Sequence, residues 1–193
     1  MILLCFRTIC KVSLLLICTG LTISCSEESL PKPKGFLRLD YPMAKYTINE
    51  LQNDCPYEFG INTIALIKPQ KECNMDIVYP QMKATIHLTY KQIHNNINEL
   101  LKDAQRLTYH HTKKASVILE QPFVNPKDKV YGMFYEVNGE AASATQFYLT
   151  DSLNNFISGS VYFRSKPNAD SLLPANEYIK KDVRQFIESL RWK

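Results

Sequence analysis

Glycine is scarce in this chain, with six in 193 residues. Backbone that must approach a phosphate closely depends on glycine, and neither GxGxxG nor a GxxxxGK run occurs, which argues against a nucleotide-binding site. GxSxG is missing too; Ser158-Gly159-Ser160 sits in a strand-like stretch without the sharp turn of a nucleophile elbow. No Cys-x-x-Cys pair offers zinc-ligand spacing. Charge of one sign is not in large excess: the formal net charge is +4, and the small Lys113-Lys114 and Lys180-Lys181 spots fall short of a nucleic-acid footprint. No apolar run reaches the roughly 20 residues that a transmembrane helix needs. What remains is ordinary globular material, 45% hydrophobic and 22% charged, of a length suited to one domain.

The amino-terminal segment reads as an address. Arg7 and Lys11 precede an apolar stretch, Val12 to Ile23, and thirteen residues separate Lys11 from Cys25. That length suits the apolar region of a secretory signal. Thr22-Ile23-Ser24-Cys25 resembles a bacterial lipobox, in which the cysteine is lipidated and becomes the new first residue; Thr22 stands where leucine is usual. The plain alternative is an ordinary secretory signal with Cys25 an unpaired thiol. Residues 1–24 are thus expected to be a lipoprotein signal peptide, 25–35 a lipidated start and flexible tether, and 36–193 the globular domain. The tether, Ser26 to Gly35, is polar with two prolines; in polyproline geometry of about 3.1 Å per residue it spans about 25–30 Å. Its Glu27-Glu28 pair resembles a surface-export signal of Bacteroidota lipoproteins, and reads equally as a solvated linker.

Cleavage before Cys25 leaves 169 residues near +2 and removes three of the six cysteines. With Cys25 lipidated, Cys55 and Cys73 remain, and an even pair in an exported protein suggests a disulfide. The loop it closes is worth roughly 3 kcal/mol in the chain-entropy model. A metal site is the alternative, but no second ligand pair accompanies it.

Within the domain the hydrophobic period changes twice. Ala84, Ile86, Leu88 and Tyr90 alternate with Thr85, His87 and Thr89, a half-buried strand. Tyr46–Ile48, Cys55–Phe59, continuing past a Gly60 bulge towards Ile67, and Met75–Tyr79 are further strands. From Asn95 to His110 the apolar residues Ile97, Leu100, Leu101, Ala104 and Leu107 recur at three and four, the stripe of a helix. Ser116–Glu120 is then a strand ended by a Pro-rich turn. Val130–Val137 runs into Asn138-Gly139, a hairpin signal, followed by Glu140–Leu149 and Phe156–Arg164. A last helix carries Ile179, Val183, Phe186, Ile187 and Leu190 on one face. The expected fold is a single α+β domain: an antiparallel sheet of hairpin-linked strands packed by two amphipathic helices.

Candidate chemistry is thin. Adjacent His110 and His111 point about 100° apart on a helix and cannot chelate one ion together. His87 lies on the polar face of its strand. Tyr131, Tyr135, Tyr148 and Tyr162 stand on successive late strands, where core packing or an interface both use tyrosine.

Longer stretches carry a family likeness. Pro31-Lys32-Pro33-Lys34-Gly35 through Asp40-Tyr41-Pro42, Cys55-Pro56-Tyr57, Ala84 to Lys91, Tyr109-His110-His111-Thr112, Gly139 to Asp151, Pro167 to Leu172 and Ile187 to Trp192 stand in this order. Together they resemble the GldD gliding-motility lipoproteins of Bacteroidota. The resemblance implies a lipid-anchored, non-enzymatic accessory of the gliding apparatus and the linked type IX secretion machinery. It implies no catalytic residue, cofactor or metal. The lipidated cysteine maps to Cys25 and the cysteine of the Cys-Pro-Tyr motif to Cys55. Partners are then the membrane, through the lipid, and other envelope proteins of that machinery, with no nucleic acid or nucleotide; the outer membrane is the favoured location. His87, Tyr109, His110 and His111, in matched stretches without a core role, are the expected partner surface. The alternative is a periplasmic ligand-binding domain or enzyme with a cleft between helix and sheet.

Overall fold

The computed structural model describes residues 41–49, 55–109, 115–139, 143, 145–164 and 169–193, all within one unit, Lys34–Lys193. Cys25, the signal and tether segments, His110 and His111 lie outside the described residues. Strands β1 (Tyr46–Asn49), β2 (Tyr57–Asn62), β3 (Leu66–Pro69), β4 (Met75–Tyr79) and β5 (Ala84–Gln92) precede helix α1 (Ile97–Tyr109). After it come β6 (Ala115–Asn125), β7 (Val130–Gly139), β8 (Thr145–Thr150), β9 (Asn155–Phe163), helix α2 (Ala169–Ser189) and the short β10 (Arg191–Trp192).

The α+β class is as expected, with two sheets rather than one. The large sheet has the order β3-β4-β5-β9-β8-β7-β6, and every pairing in it is antiparallel. Two meanders meet where β5 pairs β9 along nine residues, Ala84 opposite Phe163 to Gln92 opposite Asn155. The small sheet, β1-β2-β10, joins residues far apart in the chain, with Trp192 opposite Tyr57.

Side chains directly opposite on paired strands share a face, so the register sorts the large sheet into two surfaces. One surface carries the row Met75, Leu88, Gly159, Phe147, Phe134 and Gln121; the other carries Asp76, His87, Ser160, Gln146, Tyr135 and Glu120. Helix α2 packs on the first surface through Ile179, Val183, Phe186 and Ile187, with Leu190 just past its end, all buried. The Phe186 ring meets Phe59 of the small sheet at 4.6 Å and Phe147 of the large one at 5.5 Å, so α2 is wedged between the sheets. Gly159 makes room for this core: a Cβ there would stand 2.3 Å from the Phe147 ring. Helix α1 lies on the opposite surface, with Leu100 against Phe156.

The segment leading into the domain is tied to α2. The Tyr46 hydroxyl donates to Asp182 Oδ1 (2.6 Å), Asn62 Nδ2 donates to Oδ2 (2.8 Å), and Tyr79 also hydrogen-bonds this buried carboxylate. Burial first, then the carboxylate, pushes the Tyr46 and Tyr79 hydroxyls well above the ordinary phenol range. Tyr178 donates to the Pro42 carbonyl (3.0 Å).

Three local expectations are corrected. Gly60 is not a bulge; it lies inside β2, and its N–H donates to Ser189 Oγ (2.8 Å) where α2 presses close. β6 does not stop before Pro122 but runs through it to Asn125, because β6 is an edge strand and its outer side needs no donor. Asn138-Gly139 is no two-residue hairpin: Asn138 stays in β7 opposite Val117, and β8 pairs back only from Thr145 opposite Glu136.

Candidate functional site: the cleft beside the first helix

The alternation of β5 and β9 sets Thr85, His87, Thr89 and Lys91 beside Tyr162, Ser160, Ser158 and Phe156 on the surface away from α2. Helix α1 crosses this surface towards β6: Leu100 packs on Phe156, the Thr108 hydroxyl lies 3.2 Å from Gln146 Oε1 on β8, Gln105 bonds Tyr135 on β7, and Tyr109 donates to Glu120 on β6. Its start follows Asn96, whose carbonyl accepts from the N–H groups of Glu99 and Leu100. The Asn96 side chain turns back to accept from the His94 N–H (2.9 Å) instead of capping the first turn.

α1 is seated on few contacts. Of its residues only Leu100 and Thr108 are buried, although its apolar stripe is well formed. Between it and the sheet runs an open cleft of about 510 Å³. Thr89, Lys91, Phe156 and Ser158 form its floor, and Leu100, Ala104 and Leu107 its helical wall. Asp103 on the rim is paired with Arg106 (3.0 Å). Lys91 has no ion-pair partner among the described residues. Gln146, beside Ser160 in the next strand, is buried, and its Nε2 has no hydrogen-bond partner among them.

The sequence-predicted residues fall around this cleft without forming one patch. His87 is half exposed, with Nδ1 2.6 Å from Asp76 Oδ1 and its ring 5.6 Å from Tyr162. A carboxylate only accepts, so Nδ1 carries the proton. Gln70 Nε2 donates to the other Asp76 oxygen (2.9 Å). Tyr109 shares this surface with His87, but β9, β8 and β7 lie between β5 and β6, roughly 19 Å at the usual strand spacing. All four late-strand tyrosines, Tyr131, Tyr135, Tyr148 and Tyr162, prove to share this surface. Cys55 and Cys73 are brought together in disulfide geometry with Cα atoms 5.5 Å apart, within the span that a disulfide bridges.

Asp76, His87 and Ser160 are successive cross-strand neighbours, the residue set of a nucleophilic triad. Only one of its two links is made among the described residues, that from His87 to Asp76. Sequence reasoning missed Lys91, Ser158 and Gln146. The alternation of β5 already put Thr89 and Lys91 on one face; Ser158 and Gln146 join them only through pairing of strands distant in sequence.

The other charged cluster serves α2. Glu136 on β7 accepts from Lys180 (3.1 Å) and Arg184 (2.8 Å), and Arg184 also stacks on Phe134 at 4.5 Å. Burial alone would raise the Glu136 carboxyl; the two cations outweigh it and hold the carboxyl below its usual range.

The fold and site define an antiparallel α+β domain with one closed, core-bearing sheet surface and one open surface bearing a helix-walled cleft. The model of the family described as gliding motility lipoprotein GldD matches residues 26–192, and the chain belongs to that family. Membership makes it a gliding-motility lipoprotein associated with the cell envelope. No curated protein matches it. Among the described residues, no helix is long and apolar enough to cross a membrane.

Proposed function

We propose that the chain is a non-enzymatic accessory of the gliding-motility and type IX secretion machinery, held at the outer membrane by lipid on Cys25 and acting by binding other envelope proteins. The family match across 26–192 carries this reading. The open surface beside α1 supports it, since it offers contact area that α2's surface does not. In the same reading the Cys55–Cys73 pair is a stabilising disulfide that ties β2 to the turn before β4.

A clean deletion is expected to abolish surface spreading and reduce type IX secretion; normal spreading and secretion in that strain would overturn the proposal. Cys25→Ser is expected to leave an unprocessed or soluble product, read by mass analysis of the mature amino terminus. A second reading, a periplasmic ligand-binding domain or enzyme, is favoured by the helix–sheet cleft itself. It requires turnover or saturable binding of a small molecule by the purified chain.

A further inference from the structure

We propose that the cleft between α1 and strands β5 and β9 binds an extended peptide segment of a partner protein, with an apolar side chain and a carboxylate on one side of that segment. This rests on the reading of the chain as a binding accessory and names the chemistry of its partner. Three observations carry it. The wall and floor supply apolar contact through Leu100, Leu107 and Phe156, and Leu107 is 47% exposed despite its place in the helix's apolar stripe. The charge balance favours an anion: Asp103 is already neutralised by Arg106, which leaves Lys91 as the uncompensated charge in the lining. The floor then repeats row by row, Lys91 with Phe156, then Thr89 with Ser158. Rows two residues apart along a strand are spaced by about 6.8 Å. Alternate residues of an extended peptide repeat at the same spacing, so a segment laid along β5 and β9 meets a row with every second residue.

The test uses the mature chain, labelled with nitrogen-15, and capped peptides in which Leu or Phe alternates with Asp between threonines, in both orders. Matched peptides carry Lys in place of Asp. Saturable shifts of the Thr89, Lys91 and Ser158 amides by the acidic peptides, and weaker binding of the basic ones, are expected. Lys91→Glu is expected to weaken the acidic peptides by about fivefold and to reverse the preference, as for exposed charge pairs. Ala104→Trp fills the cleft and is expected to abolish the shifts while the melting temperature stays near that of the parent chain. Absence of saturable shifts at those amides, or a preference that Lys91→Glu does not change, overturns the inference. Either result leaves the deletion phenotype, and so the accessory reading, standing on its own.

Discussion

The two helices are similar in sequence pattern and opposite in seating. Both carry an apolar stripe at helical spacing. α2 buries Ala175, Ile179, Val183, Phe186 and Ile187 between two sheets, and adds a charged clasp in which Glu136 holds Lys180 and Arg184. α1 buries Leu100 and Thr108, half-buries Ile97, Leu101 and Ala104 against the small cluster around Phe156, and leaves a cleft beside Ala104 and Leu107. An amphipathic pattern therefore states which face seeks cover, not how much cover the fold supplies. The stability of the domain is concentrated on α2's surface, and the opposite surface keeps apolar area available for contact.

That asymmetry can be broken at several strengths. Phe186→Ala removes the ring that bridges Phe59 and Phe147 and is expected to cost roughly 3–5 kcal/mol in urea unfolding, typical of a large aromatic truncated in a core. A loss under 1 kcal/mol would show that α2 is no better seated than α1. Replacing Cys55 and Cys73 together by Ser is expected to cost about 3 kcal/mol through the loop their pairing closes. An unchanged melt would mean that the pair contributes nothing on that side.

The clasp comes next. Glu136→Gln is expected to cost about 1–2 kcal/mol, since it leaves Lys180 and Arg184 short of a carboxylate. The sign of the pH effect follows from the lowered carboxyl. Its contribution is present above the unfolded value near 4.5 and is lost as pH falls through the lower folded value. Asp151 adds the same slope: burial pushes its carboxyl up, but the N–H groups of Asn155, Asn154 and Leu153 outweigh that and lower it. Urea midpoints should therefore drop below about pH 4.5, less steeply in Glu136→Gln. The smallest effect belongs to α1: Leu107→Ala is expected to change stability by less than about 0.5 kcal/mol, as at other exposed positions.

Much of this was readable from residue order. The β5 alternation, the span of β4 and both helical stripes follow from local period, and the two cysteines singled out by counting, Cys55 and Cys73, lie within disulfide distance. What was not readable depends on register between distant strands. Nothing near Tyr57 announces Trp192 as its strand partner, so the small sheet was invisible. Pro122 and Asn138-Gly139 were misread for the same reason: whether proline ends a strand, or Asn-Gly turns one, depends on edge position and on the neighbouring strand. The site suffered likewise. His87 and Tyr109 looked like neighbours in purpose and stand four strands apart, while Lys91 and Ser158 looked unremarkable and share a cleft.

The ties at Pro42 and Tyr46 have a mechanical meaning. Both end on α2, at Tyr178 and Asp182. A pull arriving from the amino-terminal side is thus handed to the most deeply rooted helix and spread into the core between the sheets. The lightly seated helix stands on the far side of the large sheet from that path. The ties and the cleft thus lie on opposite surfaces of the large sheet, so a load entering at Pro42 and Tyr46 spreads into the core without passing through α1.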